Sequence, residues 1–246
     1  MRILTIIPAR YASTRFPGKP LALIQGRPMI LHVVERALRL TPDVVVATDD
    51  ERIRSVVVQQ GYEAIMTSGV HTSGTSRCLE AYELLGREAD VLINLQGDEP
   101  FISEAHIRLL IDAFDDPSVE IATLAQPFPK EATNEDLANP NAVKVVRATS
   151  GRALYFSRSV IPYLRGVEEP WASKHEYLKH IGLYAFRTSL LKRLQSLPPS
   201  PLEQGESLEQ LRWLSAGLQI QVQLTDEATI GVDTPEDLAH ITTLIP

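Results

Sequence analysis

Three apolar runs constrain this chain more than any other feature: ILTII (Ile3 to Ile7), VVVAT (Val44 to Thr48) and VLINL (Val91 to Leu95). None alternates apolar with polar residues, so each reads as a strand covered on both faces. Between them the apolar spacing is helical, over about Pro28 to Leu40, Glu51 to Gln60 and Thr75 to Leu85. Strand–helix–strand repetition predicts parallel strands joined by right-handed crossovers, and so an α/β fold. Downstream, Ser103 to Phe114 reads as a helix and Ile121 to Ala125 as a strand. Ala142 to Val146, Arg152 to Phe156, His180 to Phe186 and Gln219 to Leu224 also read as strands. Ser207 to Ala216 and Pro235 to Ile241 read as helices. No polar linker divides the chain. The expectation is one domain over residues 1–246, a mixed, mostly parallel sheet flanked by helices, with a subregion inserted at about 154–202.

Composition narrows the partners. Hydrophobic residues make up 44% of 246, enough for a sizeable core, and the net charge is −7. A global basic footprint for nucleic acid is therefore absent, and anionic ligands would need local clusters of Lys and Arg. The single cysteine, Cys78, excludes an intrachain disulfide and a Cys-based zinc site, and fits a reducing compartment. The N-terminal apolar run is too short for a signal peptide. No segment reaches the ~18 consecutive apolar residues of a membrane span. A cytoplasmic protein without membrane insertion is expected.

Five segments carry candidate chemistry. After the first strand, Pro8 to Arg27 forms a connection far longer than the ~2–6 residues usual there. It holds Arg10, Arg15 and Lys19, cations that could bind a triphosphate and stabilise a leaving pyrophosphate; a solvated basic loop is the plainer reading. It is not a Walker A loop, because Ser13 stands at the first glycine position and Pro20 follows Lys19. QGDEP (Gln96 to Pro100) follows VLINL, so Asp98 falls at the carboxyl edge of a central strand. A carboxylate there suits Mg²⁺, although an Asp in a turn needs no metal. In GVDTPEDL (Gly231 to Leu238), Thr234 and Pro235 are helix-start signals. Asp233 is either a structural acid or a second metal ligand, and spacing alone does not decide whether it meets Asp98. In HTSGTSR (His71 to Arg77), Ser73, Gly74 and Thr75 open a helix, and Gly74 would admit a ligand close to the backbone.

In KHIGLYAFR, His180, Gly182 and Tyr184 share one strand face. That face is poor core material and suits sugar hydroxyls, with a structural His as the alternative. Ser207 and Gln210 fit a capping box; Glu209 and Gln210 could also face a sugar. Arg158 has the planar fork that matches a carboxylate. Cys78, inside a helical pattern, reads as packing.

In order along nearly the whole chain, IIPARYASTRFPGKPL, VATDDERI, HTSGTSR, INLQGDEPFI, NPNAVKVV, ALYFSRSVIP, KHIGLYAFR, ESLEQLRWL and GVDTPEDL resemble the 3-deoxy-manno-octulosonate (KDO) cytidylyltransferases. The resemblance implies a glycosyltransferase-A-like nucleotidyltransferase fold with an inserted subregion for sugar binding and dimerisation, and a homodimer. It implies CTP and KDO as substrates, Mg²⁺ as cofactor and a role in lipopolysaccharide synthesis. By the same resemblance, Pro8, Ala9, Arg10, Arg15, Lys19, Ser73, Gly74, Thr75, Arg77 and Gln96 would hold the nucleotide, with Arg10 and Lys19 catalytic. Asp98 and Asp233 would bind the metal, and Arg158, His180, Tyr184, Glu209 and Gln210 would surround the sugar acid. One position departs from the family pattern: Ser76 stands where an acid is usual. Two other readings keep the scaffold, transfer to amino-KDO or another acidic sugar, and a non-catalytic sugar-nucleotide sensor.

Overall fold

A computed structural model describes residues 1–12, 16–227, 231–232 and 234–238. It divides into two compact units. The first comprises Met1–Arg108, Ala185–Ser189 and Thr229–Pro246, the second Leu109–Tyr184 and Leu190–Ala228.

In the first unit, β1 (Ile3–Ala9) pairs with β4 (Val44–Thr48) and β6 (Val91–Asn94), and β4 pairs with β5 (Glu63–Met66), all parallel. The three apolar runs are thus neighbouring strands. Val45, Val46, Ala47, Val91, Leu92 and Ile93 are fully buried, as continuous β-branched and aliphatic runs require. The helices α1 (Met29–Leu38), α2 (Glu51–Gln59) and α3 (Gly74–Leu85) connect them. Asp50 caps α2 by accepting from the Arg52 N–H at 2.9 Å. Ser73 caps α3 by accepting from the Ser76 N–H at 3.1 Å, as the Ser-Gly-Thr start predicts. The long connection after β1 contains a 3₁₀ turn, Lys19–Leu21, and a short hairpin of β2 (Leu23–Ile24) and β3 (Arg27–Pro28). Ile24, Met29 and Val232 are buried together, with Phe16, Ala22, Phe101 and Leu238 packed on them. This small cluster draws the connection, the turn after β6 and the 231–238 segment to one place. Thr234 caps the closing helical turn: the Asp237 N–H donates to Thr234 Oγ1 at 3.2 Å, and the Thr234 N–H to Asp237 Oδ2 at 2.9 Å. The expected cap at Thr234 is therefore present.

α4 (Glu104–Asp112) leads into the second unit. There β7 (Ile121–Pro127) pairs in parallel with β11 (Ile220–Leu224). α5 (Asn134–Ala138) precedes β8 (Lys144–Arg147), which pairs antiparallel with β9 (Ala153–Ser157) and with β10 (Leu178–Arg187). α6 (Leu191–Ser196), α7 (Pro201–Glu206) and α8 (Gln210–Ser215) follow. The paired strands make the sheet mixed and mostly parallel, as expected.

One local expectation is overturned. Ser207 does not cap a helix with Gln210; it sits at φ 52 and closes α7, and no side chain caps α8. The capping box lies seven residues earlier, where Ser200 and Glu203 cap each other's backbone groups and Pro201 occupies the first turn. That box starts α7, and Ser207, held in the left-handed conformation that ends α7, does not have the extended backbone of an N-cap for α8. Among the described residues no helix is long and apolar enough to cross a membrane.

Leu4 on β1 is fully buried, whereas Leu154 on β9 is 62% exposed. Leu4→Ala should therefore lower the unfolding free energy by about 2–5 kcal/mol. Leu154→Ala should change it by less than about 0.5 kcal/mol. Urea titration followed by circular dichroism measures both.

Candidate active site

The carboxyl ends of β1 and β6 and the start of α3 enclose a cavity of about 260 Å³ in the first unit. Its lining includes Pro8, Ala9, Arg10, Lys19, Ser73, Gly74, Arg77, Gln96 and Asp98, nine residues that the resemblance assigns to nucleotide or metal. The open end of a parallel sheet is where ligands bind in α/β folds, because loops converge there. Close packing shapes the wall. A Cβ on Gly97 would stand 2.9 Å from the Pro8 carbonyl oxygen, and one on Gly74 3.1 Å from Pro8 Cγ. Side chains at either position would push α3 and the β6 turn away from β1.

Lys19 is the centre of the cavity's electrostatics. Its ammonium donates to Asp98 Oδ2 at 2.7 Å and to the Val232 carbonyl at 2.8 Å. The Val232 N–H in turn donates to the Asp98 carbonyl at 3.0 Å. Residues 19, 98 and 232 thus converge although each lies more than seventy positions from the next. Asp233 and Arg15 lie outside the described residues. Arg10 lines the cavity and is exposed.

Arg77 behaves differently. It is 3% exposed, and its guanidinium donates to Asp49 Oδ2 at 2.8 Å, Thr67 Oγ1 at 2.7 Å and the Ser68 carbonyl at 3.3 Å. It borders the cavity while bracing the connection between β5 and α3. Thr75 is buried behind the lining, where its hydroxyl accepts from Asn94 Nδ2 at 3.3 Å. Gln96 Nε2 donates to Asn94 Oδ1 at 3.4 Å, so a short relay sets its amide orientation. Ser76 donates to the Ser73 carbonyl at 3.0 Å and lies 3.1 Å from His71 Nδ1. His71 and Thr72 also line the cavity, and the sequence reading gave neither a role. The signal was their place immediately before a helix start at a strand's carboxyl end.

The sugar candidates lie in the second unit. His180 and Tyr184 do share a face: their ring centroids are 5.5 Å apart. Phe156 packs edge-on against His180 at 4.9 Å, and Trp213 against Tyr184 at 4.9 Å. His180 Nε2 lies 3.0 Å from Thr123 Oγ1. Burial pushes His180 down to about 3, so the ring is neutral. Burial, helped by the charge of Glu209, raises the Tyr184 phenol well above its ordinary value. Gln210 is 5% exposed, and its Nε2 has no hydrogen-bond partner among the described residues. Arg158 stands apart from these rings in its bonding. Its guanidinium donates to the carbonyls of Glu206 at 2.7 Å, Pro140 at 2.8 Å and Ser207 at 3.3 Å.

The carboxyl-edge cleft with its cations and single described acid has the layout of a nucleotidyltransferase site. A family model described as cytidylyltransferase matches residues 4–220. A Porphyromonas gingivalis protein named 3-deoxy-manno-octulosonate cytidylyltransferase is 56% identical over 237 residues, covering 96% of this chain and 93% of that protein. A solved structure described as CMP:2-keto-3-deoxy-manno-octonic acid synthetase complexed with CTP superposes with a TM-score of 0.91 at 46% identity, covering 100% of this chain and 98% of that one. A putative glucose-1-phosphate thymidylyltransferase from Bacillus anthracis, 17% identical, shares the fold with a TM-score of 0.65 over 98% of this chain and 94% of that one. This chain belongs to the cytidylyltransferase family, and within it to the 3-deoxy-manno-octulosonate cytidylyltransferases.

Two outcomes follow. His180 in the folded chain lies below the 6.5 of an ordinary histidine, so between about pH 3 and 6.5 the unfolded state binds the extra proton. Stability should fall as pH drops through that window, by up to about 1.4 kcal/mol per pH unit from this group. His180→Gln should flatten the fall, which thermal melts across pH will record. Arg77→Met should destabilise the fold by about 1–3 kcal/mol, since it leaves Asp49 without its charged partner; calorimetry reads this directly.

Proposed function

We propose that this chain transfers the cytidylyl group of CTP to the anomeric hydroxyl of KDO, giving CMP-KDO and pyrophosphate. The observation that carries the reading is the meeting of Lys19, Asp98 and Val232 in a cleft that Arg10 also lines. A carboxylate and cations facing one cavity suit a reaction whose cost is charge on phosphate oxygens. The CTP-bound relative and the names of the similar proteins support the substrates.

The residues fit a hard divalent cation. Asp98 Oδ2 and the Val232 carbonyl oxygen already converge on one positive charge, the Lys19 ammonium. Carboxylate and carbonyl oxygens are the donors Mg²⁺ takes. Asp98 and Asp233 would hold it, and when bound it supplies positive charge to the phosphates and acidifies a nearby hydroxyl. The chain's own groups do the rest. Ser73, Gly74 and Gln96 seat the nucleoside against the start of α3. Arg10, Arg15 and Lys19 neutralise the triphosphate and the departing pyrophosphate. The sugar oxygen forms its bond to the α-phosphorus as the bond to the β-bridging oxygen breaks, and the hydroxyl proton leaves to solvent. A covalent enzyme intermediate is not needed; Cys78 is fully buried.

For the acceptor, the neutral His180, the Tyr184 phenol and the buried Gln210 amide offer hydrogen bonds to sugar hydroxyls. Gln210 Nε2, without a hydrogen-bond partner among the described residues, supports a ligand there, because a buried amide without a partner is costly. Arg158 would meet the sugar carboxylate. The chain acts in the cytoplasm, as a homodimer, and supplies an activated acidic sugar to lipopolysaccharide synthesis.

Incubation with CTP, Mg²⁺ and KDO, followed by mass analysis, should give CMP-KDO with one pyrophosphate per product. Asp98→Asn should retain CTP binding and lose at least about 100-fold in kcat. Unaltered turnover in that variant would remove Asp98 from the mechanism, and absence of CMP-KDO with the wild-type chain would end the assignment.

A further inference from the structure

Between β5 and α3 the chain makes a loop, residues 67–73, whose last three residues line the cavity. Nothing in the loop is regular, yet three side chains on one face of α3 hold it along its length. Arg77 holds its start, at Thr67 Oγ1 and the Ser68 carbonyl. Ser76 holds its end, at the Ser73 carbonyl. Glu80, one turn beyond Ser76, takes the middle. A single oxygen of its carboxylate, Oε2, accepts the Ser68 N–H at 2.8 Å and also meets His71 Nε2.

His71 is thereby fixed at both ring nitrogens, Nε2 by Glu80 and Nδ1 by the Ser76 hydroxyl. Its side chain is only 14% exposed, and the ring lines the cavity. A carboxylate only accepts, so the ring donates from Nε2 to Glu80. Burial raises the Glu80 carboxyl, but the bonds from His71 and the Ser68 N–H outweigh it and hold the group below its usual range. The fixed ring and the clamped backbone together hold residues 71–73 in the lining they share with Pro8 and Gln96.

We propose that Glu80 is a positioning residue of the nucleotide site, setting the 67–73 wall through His71 and the Ser68 N–H. This rests on the reading of the cavity as the CTP site. Glu80 does not line the cavity, so its removal should act on nucleotide affinity by releasing His71 and the loop. The sugar candidates lie in other elements and should be unaffected.

The test is steady-state kinetics on the full chain, with CTP and KDO varied separately and folding checked by circular dichroism. Glu80→Ala should raise KM for CTP about 10-fold, leaving kcat and KM for KDO within about threefold. Glu80→Gln should restore KM for CTP to near wild type, because one amide oxygen accepts both bonds. His71→Ala should raise KM for CTP similarly, and the double variant His71→Ala/Glu80→Ala should be no worse than either single change. Should Glu80→Ala not fold, Glu80→Asp takes its place, keeping the charge while withdrawing the carboxylate by one methylene. An unchanged KM for CTP in the folded variant, or equal rises in KM for CTP and KDO, overturns the proposal. A titration of CTP into the wild-type chain separates the two ideas: no binding there overturns the CTP reading and this inference together, whereas normal wild-type binding with an unaffected variant overturns this inference alone.

Discussion

Asp98 is the point on which the candidate site depends. Its carbonyl accepts the Val232 N–H, and its carboxylate accepts the Lys19 ammonium, which also reaches the Val232 carbonyl. Three segments remote in sequence are closed into one ring of hydrogen bonds, two of them charge-assisted and short. The apolar cluster of Ile24, Met29 and Val232, with Phe16, Ala22, Phe101 and Leu238 packed on it, anchors the same segments. Packing fixes the backbone positions, and the polar ring fixes the orientation of the groups that a ligand would meet. Neither suffices alone, since an apolar cluster does not orient a carboxylate and an ammonium on a long stem does not place a loop.

The charge distribution follows the same logic. A chain of net charge −7 collects Arg10, Lys19 and Arg77 around one cavity and assigns them different work. Arg77, nearly buried, is consumed by Asp49, Thr67 and Ser68 and acts as a strut. Lys19 holds two oxygens that a bound cation could take over, and Arg10 remains exposed at the rim. A local cationic field of this kind attracts phosphates without the global basicity that nucleic-acid binding needs.

The second unit shows how polar groups are kept where hydrocarbon surrounds them. His180 stays neutral because desolvation opposes its charge, and Thr123 meets its ring nitrogen. Phe156 and Trp213 pack edge-on against His180 and Tyr184, which holds both rings in place. Arg158 illustrates the opposite choice. Three of its five N–H donors go to three backbone carbonyls, an arrangement that ties β9 to the α7 end and to the turn before β8.

The sequence by itself determined β1, β4 and β6 of the first unit and the helices between them, because runs of Val, Ile and Leu covered on both faces can be little else; the short strands β2, β3 and β5 carry no such run and were not legible. It also determined the Ser73 and Thr234 caps, the shared face of His180 and Tyr184, and the family, since each of these is written in short local patterns. It misread the start of α8, because Ser207-x-x-Gln210 carries the same local signal as the box at Ser200 and Glu203. Only the tertiary structure decided that Lys19, Asp98 and Val232 meet, that Arg77 braces a loop, and that Glu80 grips His71. Those contacts join residues through space, and sequence spacing holds no information about distance once the chain has turned back on itself.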